Sequence, residues 1–211
     1  MSRKPEDFCN LAGPGYTAPM KSRFFSTLAL LALALGGPGQ SLSAAQMTAF
    51  ALVKEGDKVI PPQAKDRITQ IYSEKSAGNL APDVWHIDYF DPTAAFKTTE
   101  VTFINGKVKE ITRPRHLFDS LTGSKQLDWK KLKVNSDRAL AIALKEPLLK
   151  KLHLRATQFW LERTAIGSTW KIRFWAARLG KPDKTVQIGD LYLSSKTGEI
   201  LKNDLHTQSA D

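Results

Sequence analysis

The chain has 211 residues, 42% of them apolar and 25% charged, which suits a soluble globular protein of one medium or two small domains. A formal charge of +10 and a pI near 9.7 permit attraction to nucleic acid, anionic surfaces or acidic proteins, and they bear on association rather than on fold. The single cysteine, Cys9, precedes the expected mature chain, which excludes a disulfide framework or thiol chemistry there.

Residues 20–45 begin with Lys21 and Arg23, run through apolar residues from Phe24 to Leu35, break at Gly36-Gly37-Pro38-Gly39 and end in Ser43-Ala44-Ala45. Charged, apolar and small in that order is the pattern of a secretory signal peptide, with cleavage expected near Ala45. The apolar run of about 12 residues is well short of the roughly 20 needed to span a bilayer, so no transmembrane segment is expected in the mature chain. Residues 1–19 sit awkwardly ahead of this signal, and translation is expected to start at Met20. Removing residues 1–45 takes away Arg3, Lys4, Lys21, Arg23, Glu6 and Asp7, which leaves a mature net charge of +8. A periplasmic or extracellular product follows.

In the mature chain, Pro61-Pro62 precedes Ala64, Ile68, Ile71 and Tyr72, whose spacing predicts an amphipathic helix stopping near Gly78. Trp85, Ile87 and Tyr89 alternate with His86 and Asp88, as in a strand that enters a loop at Asp91-Pro92. Residues 97–104 and 107–111 flank Asn105-Gly106, the strongest short-range hairpin signal. These elements define a first helix-and-sheet unit over 46–115. The basic, polar stretch 116–134 reads as a linker. Its cations and their neighbours, Arg113, Arg115, Lys125, Lys130, Lys131 and Lys133, read more readily as a solvated surface than as an anion-binding strip.

Asn135-Ser136-Asp137 then caps a helix carrying Leu140, Ala143, Leu144 and Leu148, with a kink or a fresh turn expected at Pro147. Thr157, Phe159 and Leu161 alternate with Gln158, Trp160 and Glu162. Trp170, Ile172 and Phe174 alternate with Lys171, Arg173 and Trp175. Val186 and Ile188 differ in parity from Leu191 and Leu193, so a bulge is expected near Gly189-Asp190, with Asp190 no more than a bulge residue. This second unit covers 135–205, followed by a tail at 206–211.

The halves align as an internal repeat: Asp66-Arg67 with Asp137-Arg138, Trp85-His86-Ile87 with Trp170-Lys171-Ile172, and Asn105-Gly106-Lys107-Val108 with Thr197-Gly198-Glu199-Ile200. The first half offers no counterpart to 156–163. The fold class expected is α+β, two tandem helix-plus-antiparallel-sheet units behind a signal peptide.

The capped helix from Ser136 to Ala143, the Trp170 strand and the closing Leu193-Ser194-Ser195-Lys196-Thr197-Gly198-Glu199-Ile200-Leu201 together resemble the PepSY domain. Ser194 departs from the acidic residue usual there. The resemblance covers 135–204 and, loosely, 62–113. It implies exported helix-plus-sheet modules without catalytic residues, and a role in modulating or inhibiting a peptidase.

The residues themselves offer no chemistry. His86, His116, His153 and His206 are in no metal-ligand spacing, the serines lack a nucleophile-elbow context, and there is no Gly-rich phosphate loop. His86 and Asp88 share one side of a strand, which a partly exposed polar face explains as well as an acid-base pair does. No enzyme activity, cofactor or metal is expected. The candidate interaction surface is Trp160, Lys171, Arg173 and Trp175, since outward Trp beside cations is the composition of binding hot spots. The function expected is an exported binding module for a protein or peptide of the cell envelope. The alternative is a basic protein that adheres to an anionic envelope polymer or lipid headgroup, with nucleic acid disfavoured by export.

Overall fold

The computed structural model describes residues 47–114 and 126–210; the expected start at Met20, the signal region 20–45, residue 115 of the expected first unit and residues 116–125 of the expected linker lie outside the described residues. Eight strands form one sheet in the order β4-β3-β2-β1-β5-β6-β7-β8, with every neighbouring pair antiparallel. They are β1 (Ile68–Ser73), β2 (Val84–Phe90), β3 (Thr98–Ile104), β4 (Lys107–Thr112), β5 (Leu154–Thr164), β6 (Gly167–Arg178), β7 (Lys181–Ser194) and β8 (Ile200–Leu205). Among the described residues two short α-helices accompany them, α1 (Ala49–Gly56) and α2 (Ser136–Ala143).

This overturns the expected α+β fold of two tandem helix-plus-sheet units. The fold is dominated by a single sheet, because β1 and β5 pair with each other and join the two four-stranded meanders into one ladder. The helix expected around Ala64–Tyr72 is also wrong: Ile68 to Ser73 form β1.

The cause of that error is a bulge. Ile68 pairs with Tyr89 and Gln70 with Asp88, so Thr69 is the extra residue in β1. In a regular strand residues three apart point to opposite faces. The bulge brings Ile68 and Ile71 onto the same buried face, where three-residue spacing imitates a helix. β1 is moreover the strand expected to be absent from the first half, since it occupies the place that β5 takes in the second meander.

The true first helix lies just upstream. Ala49, Leu52, Val53 and Gly56 are its buried positions, spaced as one helical face. Gly56 allows close approach to β2, since a Cβ there would meet the Tyr89 hydroxyl at 2.3 Å. That hydroxyl donates to Val53 O at 3.2 Å.

The two helices share a cap. Thr48 makes no side-chain cap for α1. Instead Ala49 N donates to Ser136 Oγ at 3.0 Å and Phe50 N to Asn135 Oδ1 at 3.1 Å, while the same Asn135 oxygen accepts from Ser136 N at 2.8 Å. The start of α2 thus satisfies backbone donors that α1 would otherwise leave open.

Core residues line one side of the sheet. A single cross-strand row runs Val101, Ile87, Ile71, Leu161, Trp170 and Leu193 from β3 to β7, and all six are buried. The expected linker contributes to this core: Leu127 and Val134 are buried, Trp129 meets Phe50 edge-on at 4.9 Å, and Val134 O accepts from the Trp170 indole at 2.7 Å, while Lys130, Lys131 and Lys133 are exposed.

The Asn105-Gly106 hairpin turn has positive φ at both residues, +50° and +78°, as its sequence requires. Opposite Phe174 and Trp175, β7 inserts Ile188 between Gly189 and Gln187, which is the parity change read from the sequence. Gly189 has φ +114°, and a Cβ there would lie 2.1 Å from Asp204 O, so this bulge also sets how closely β8 approaches. α2 ends at Ala143, and Pro147 begins a turn rather than a further helical segment.

Candidate functional site

Strand alternation makes the row beside the core row point the other way. It runs Thr102, His86, Tyr72, Trp160, Lys171, Tyr192 and Lys202 from β3 to β8, residues opposite one another in register. Both helices and the core lie on the other side of the sheet, and this face carries aromatic and charged side chains that remain partly exposed. Its two halves differ in charge.

The half on β5–β8 is cationic and aromatic. Trp160, Lys171, Arg173 and Trp175, the residues singled out from the sequence, all lie on this half and are all partly exposed. Lys171 Nζ is 5.0 Å from the Trp160 ring centre and 5.9 Å from that of Tyr192, and Arg173 Cζ is 5.2 Å from Trp160. Lys202 Nζ is 5.4 Å from the other side of the series, at Tyr192. These distances are within reach of cation–π attraction. Trp175 stands apart from the row and receives Lys75 at 4.6 Å.

Asp190 organises this half. Arg173 holds it through two bonds, Nε to Oδ1 at 2.7 Å and Nη2 to Oδ2 at 3.0 Å, and Lys171 Nζ lies 3.2 Å from Oδ2. Burial would raise the Asp190 pKa, but hydrogen bonds from Arg173 and the charge of Lys171 outweigh it and hold the carboxyl below its ordinary range. The side chains of Lys171 and Arg173 are 24% and 27% exposed. The cations are therefore fixed in position and still reachable.

The half on β1–β3 is acidic. Tyr72 and His86 stack at 4.6 Å with 6° between their planes. Tyr72 OH donates to Glu100 Oε2 at 2.7 Å, and His86 Nδ1 lies 3.4 Å from Glu100 Oε1 and 3.2 Å from Thr102 Oγ1. Its other nitrogen is 3.5 Å from Glu74. The Glu100 hydrogen bond raises the His86 pKa, and the same contact lowers that of Glu100. Asp88, 5% exposed, is pushed up to about 7 by burial first and by the Glu100 charge second. Among the described residues its Oδ1 has no hydrogen-bond partner.

His86 and Asp88 do share the face expected of them, but His86 is clamped between carboxylates on opposite sides of its ring. Among the described residues no group of His, Cys, Asp or Glu is arranged to hold a metal ion. His153 is exposed, His206 Nε2 is 3.6 Å from Asp204, and His116 lies outside the described residues.

Sequence reading missed several members of this face. The spacing assigns Tyr72 to a helix, and the parity break reads Asp190 as a bulge residue only. The signal available for Asp190 was its position opposite Arg173, which needs the β6–β7 register. Of the basic strip, Arg113 approaches the buried Asp91 at 3.6 Å and Lys131 pairs with Asp128 at 2.5 Å, while Arg115 and Lys125 lie outside the described residues.

Among the described residues no helix is long and apolar enough to cross a membrane. No protein-family model, no curated protein and no solved structure matches this chain.

Proposed function

We propose that the chain is an exported, non-enzymatic binding module that takes a protein or peptide of the cell envelope on the open face of its sheet, with Trp160, Lys171, Arg173 and Trp175 as contact residues. One observation carries this reading: the buried Asp190 holds Lys171 and Arg173 against the Trp160 ring while Trp160, Lys171 and Arg173 stay partly exposed. Trp, Tyr and Arg dominate binding hot spots. Fixing long side chains beforehand removes an ordering cost that association otherwise carries, about 0.5–1.5 kcal/mol for each.

Export rests on the order of charged, apolar and small residues over 20–45. Modulation of a peptidase is the form of binding that the resemblance to the PepSY family implies, so envelope peptidases are the first partners to try. The test compares wild type with the W160A/W175A variant in capture from envelope and secreted fractions, followed by affinity measurement on the captured protein. At least a tenfold loss of affinity with the fold retained is expected. Failure to capture any protein, with the double variant altering only stability, overturns the reading.

A further inference from the structure

Where the β5–β6 hairpin meets the β7–β8 turn, a cavity of about 220 Å³ opens beside the 3-10 turn at Trp129–Lys131. Three cationic side chains line it, Lys131, Arg163 and Lys196, together with Ser168 and Ser194. Elsewhere on the surface Lys58, Lys171, Arg173 and Lys202 are paired with carboxylates. Arg163 and Lys196 have no ion pair among the described residues; Arg163 donates only to the carbonyl of Gln126, at 3.3 Å.

The one acid in the lining is Asp128, paired with Lys131. Its carboxyl is held below the ordinary range by the Lys131 hydrogen bond first, with the charges of Arg163 and Lys130 adding to it. The field in the cavity is therefore positive. Ser194 Oγ accepts from the backbone N–H groups of Lys196 and Thr197 at 3.3 and 3.2 Å, which leaves its own hydrogen to donate.

We infer that this cavity binds a phosphate group, with Arg163 and Lys196 supplying charge and Ser194 a hydroxyl donor. Three cations against one acid leave two positive charges, which matches the charge of close to −2 on a phosphate monoester at neutral pH. The volume is below the roughly 300–1,000 Å³ of pockets for drug-sized ligands, so the site takes a headgroup and not a large molecule. Arginine and lysine together suit this ligand, one as a planar fork and the other as a point charge. The site shares no residue with the open face, so it stands whether or not that face binds a protein.

The probe is inorganic phosphate, titrated at constant ionic strength and followed by the amide signals of Gly167, Ser168 and Lys196. Saturable shifts are expected, with affinity falling roughly tenfold in R163Q and in K196Q, the scale of one charge-assisted hydrogen bond. D128N removes the competing acid and is expected to bind more tightly, while K150Q on a distant turn leaves binding unchanged. Vesicles containing phosphatidylglycerol distinguish the source: sedimentation with wild type but not with R163Q/K196Q assigns a lipid headgroup, and phosphate binding without sedimentation assigns a soluble phosphate. Shifts that never saturate, or equal affinity in wild type, R163Q, K196Q and D128N, overturn the inference. So does an equal loss in K150Q, which would mark a diffuse charge effect.

Discussion

Asp88 combines near-complete burial, an unpartnered carboxylate oxygen and a neighbouring carboxylate, Glu100, on the same face. Its ordinary pKa is near 3.9 in an unfolded chain, and folding pushes it up to about 7. A group raised on folding binds its proton more tightly in the native state, so its favourable contribution is complete below about pH 4 and is lost as pH rises through 7. D88N keeps the shape and removes the charge. It should raise the melting temperature at pH 8 by several degrees, have little effect at pH 4, and flatten the pH dependence between them. At 150–250 residues each 1 kcal/mol moves the melting point by about 2–4 °C, and an unpaired buried polar group costs about 1–3 kcal/mol. Thermal unfolding of both proteins across that pH range is the measurement. A D88N variant that melts lower at pH 8 would mean that the charged carboxylate is needed where it lies.

At the scale of the element, the helices are too short to be stable by themselves, since isolated helices below about 12–15 residues are marginal. α1 and α2 hold because they pack on the sheet and because the start of α2 caps both. Asn135 is the common acceptor for Phe50 N and Ser136 N. N135A should therefore cost more than an ordinary cap substitution, at or above about 2 kcal/mol. N135D, which keeps an acceptor oxygen, should recover most of that loss. Chemical denaturation midpoints distinguish the shared cap from a single one: a loss below about 0.5 kcal/mol in N135A would mean that water replaces Asn135 at both donors. β1 was misread for a reason of the same scale. Periodicity reports which residues share a face, and a bulge at Thr69 changes the period at which they do. The hairpin at Asn105-Gly106 suffered no such error, because a two-residue turn with both φ positive is a local requirement.

For the whole molecule, the consequential contact is the β1–β5 junction. Only three residue pairs are in register there, Gln70 with Glu162, Ile71 with Leu161 and Tyr72 with Trp160. Beyond them, side chains continue the ladder. Ser73 Oγ accepts from Phe159 N at 2.9 Å, Ser76 Oγ accepts from Thr157 N at 2.9 Å, and Ser76 N donates to Thr157 O at 2.8 Å. Both serines are buried, so these bonds have no ready replacement from water. The core row crosses the junction without a break, from Ile71 to Leu161. The chain should accordingly unfold in one cooperative transition, and residues 46–114 and 126–211 expressed separately should each lack dispersed amide spectra. Two resolved transitions, or a folded isolated half, would show that the junction couples the meanders only weakly.

Most strands, the Asn105-Gly106 turn, the parity break in β7 and the shared face of Trp160, Lys171, Arg173 and Trp175 were legible in the sequence, because alternation and turn chemistry are local properties of the chain. The pairing of β1 with β5, and the Asp190 carboxylate that fixes Lys171 and Arg173, were not. Strand pairing depends on which edges meet when two distant segments fold, and a hydrogen-bonded ladder places residues opposite one another with no mark in the local pattern. The sequence by itself determined the alternation that puts Trp160, Lys171, Arg173 and Trp175 on one face; only the tertiary structure decided that the two halves share one sheet, since that follows from backbone groups meeting across it.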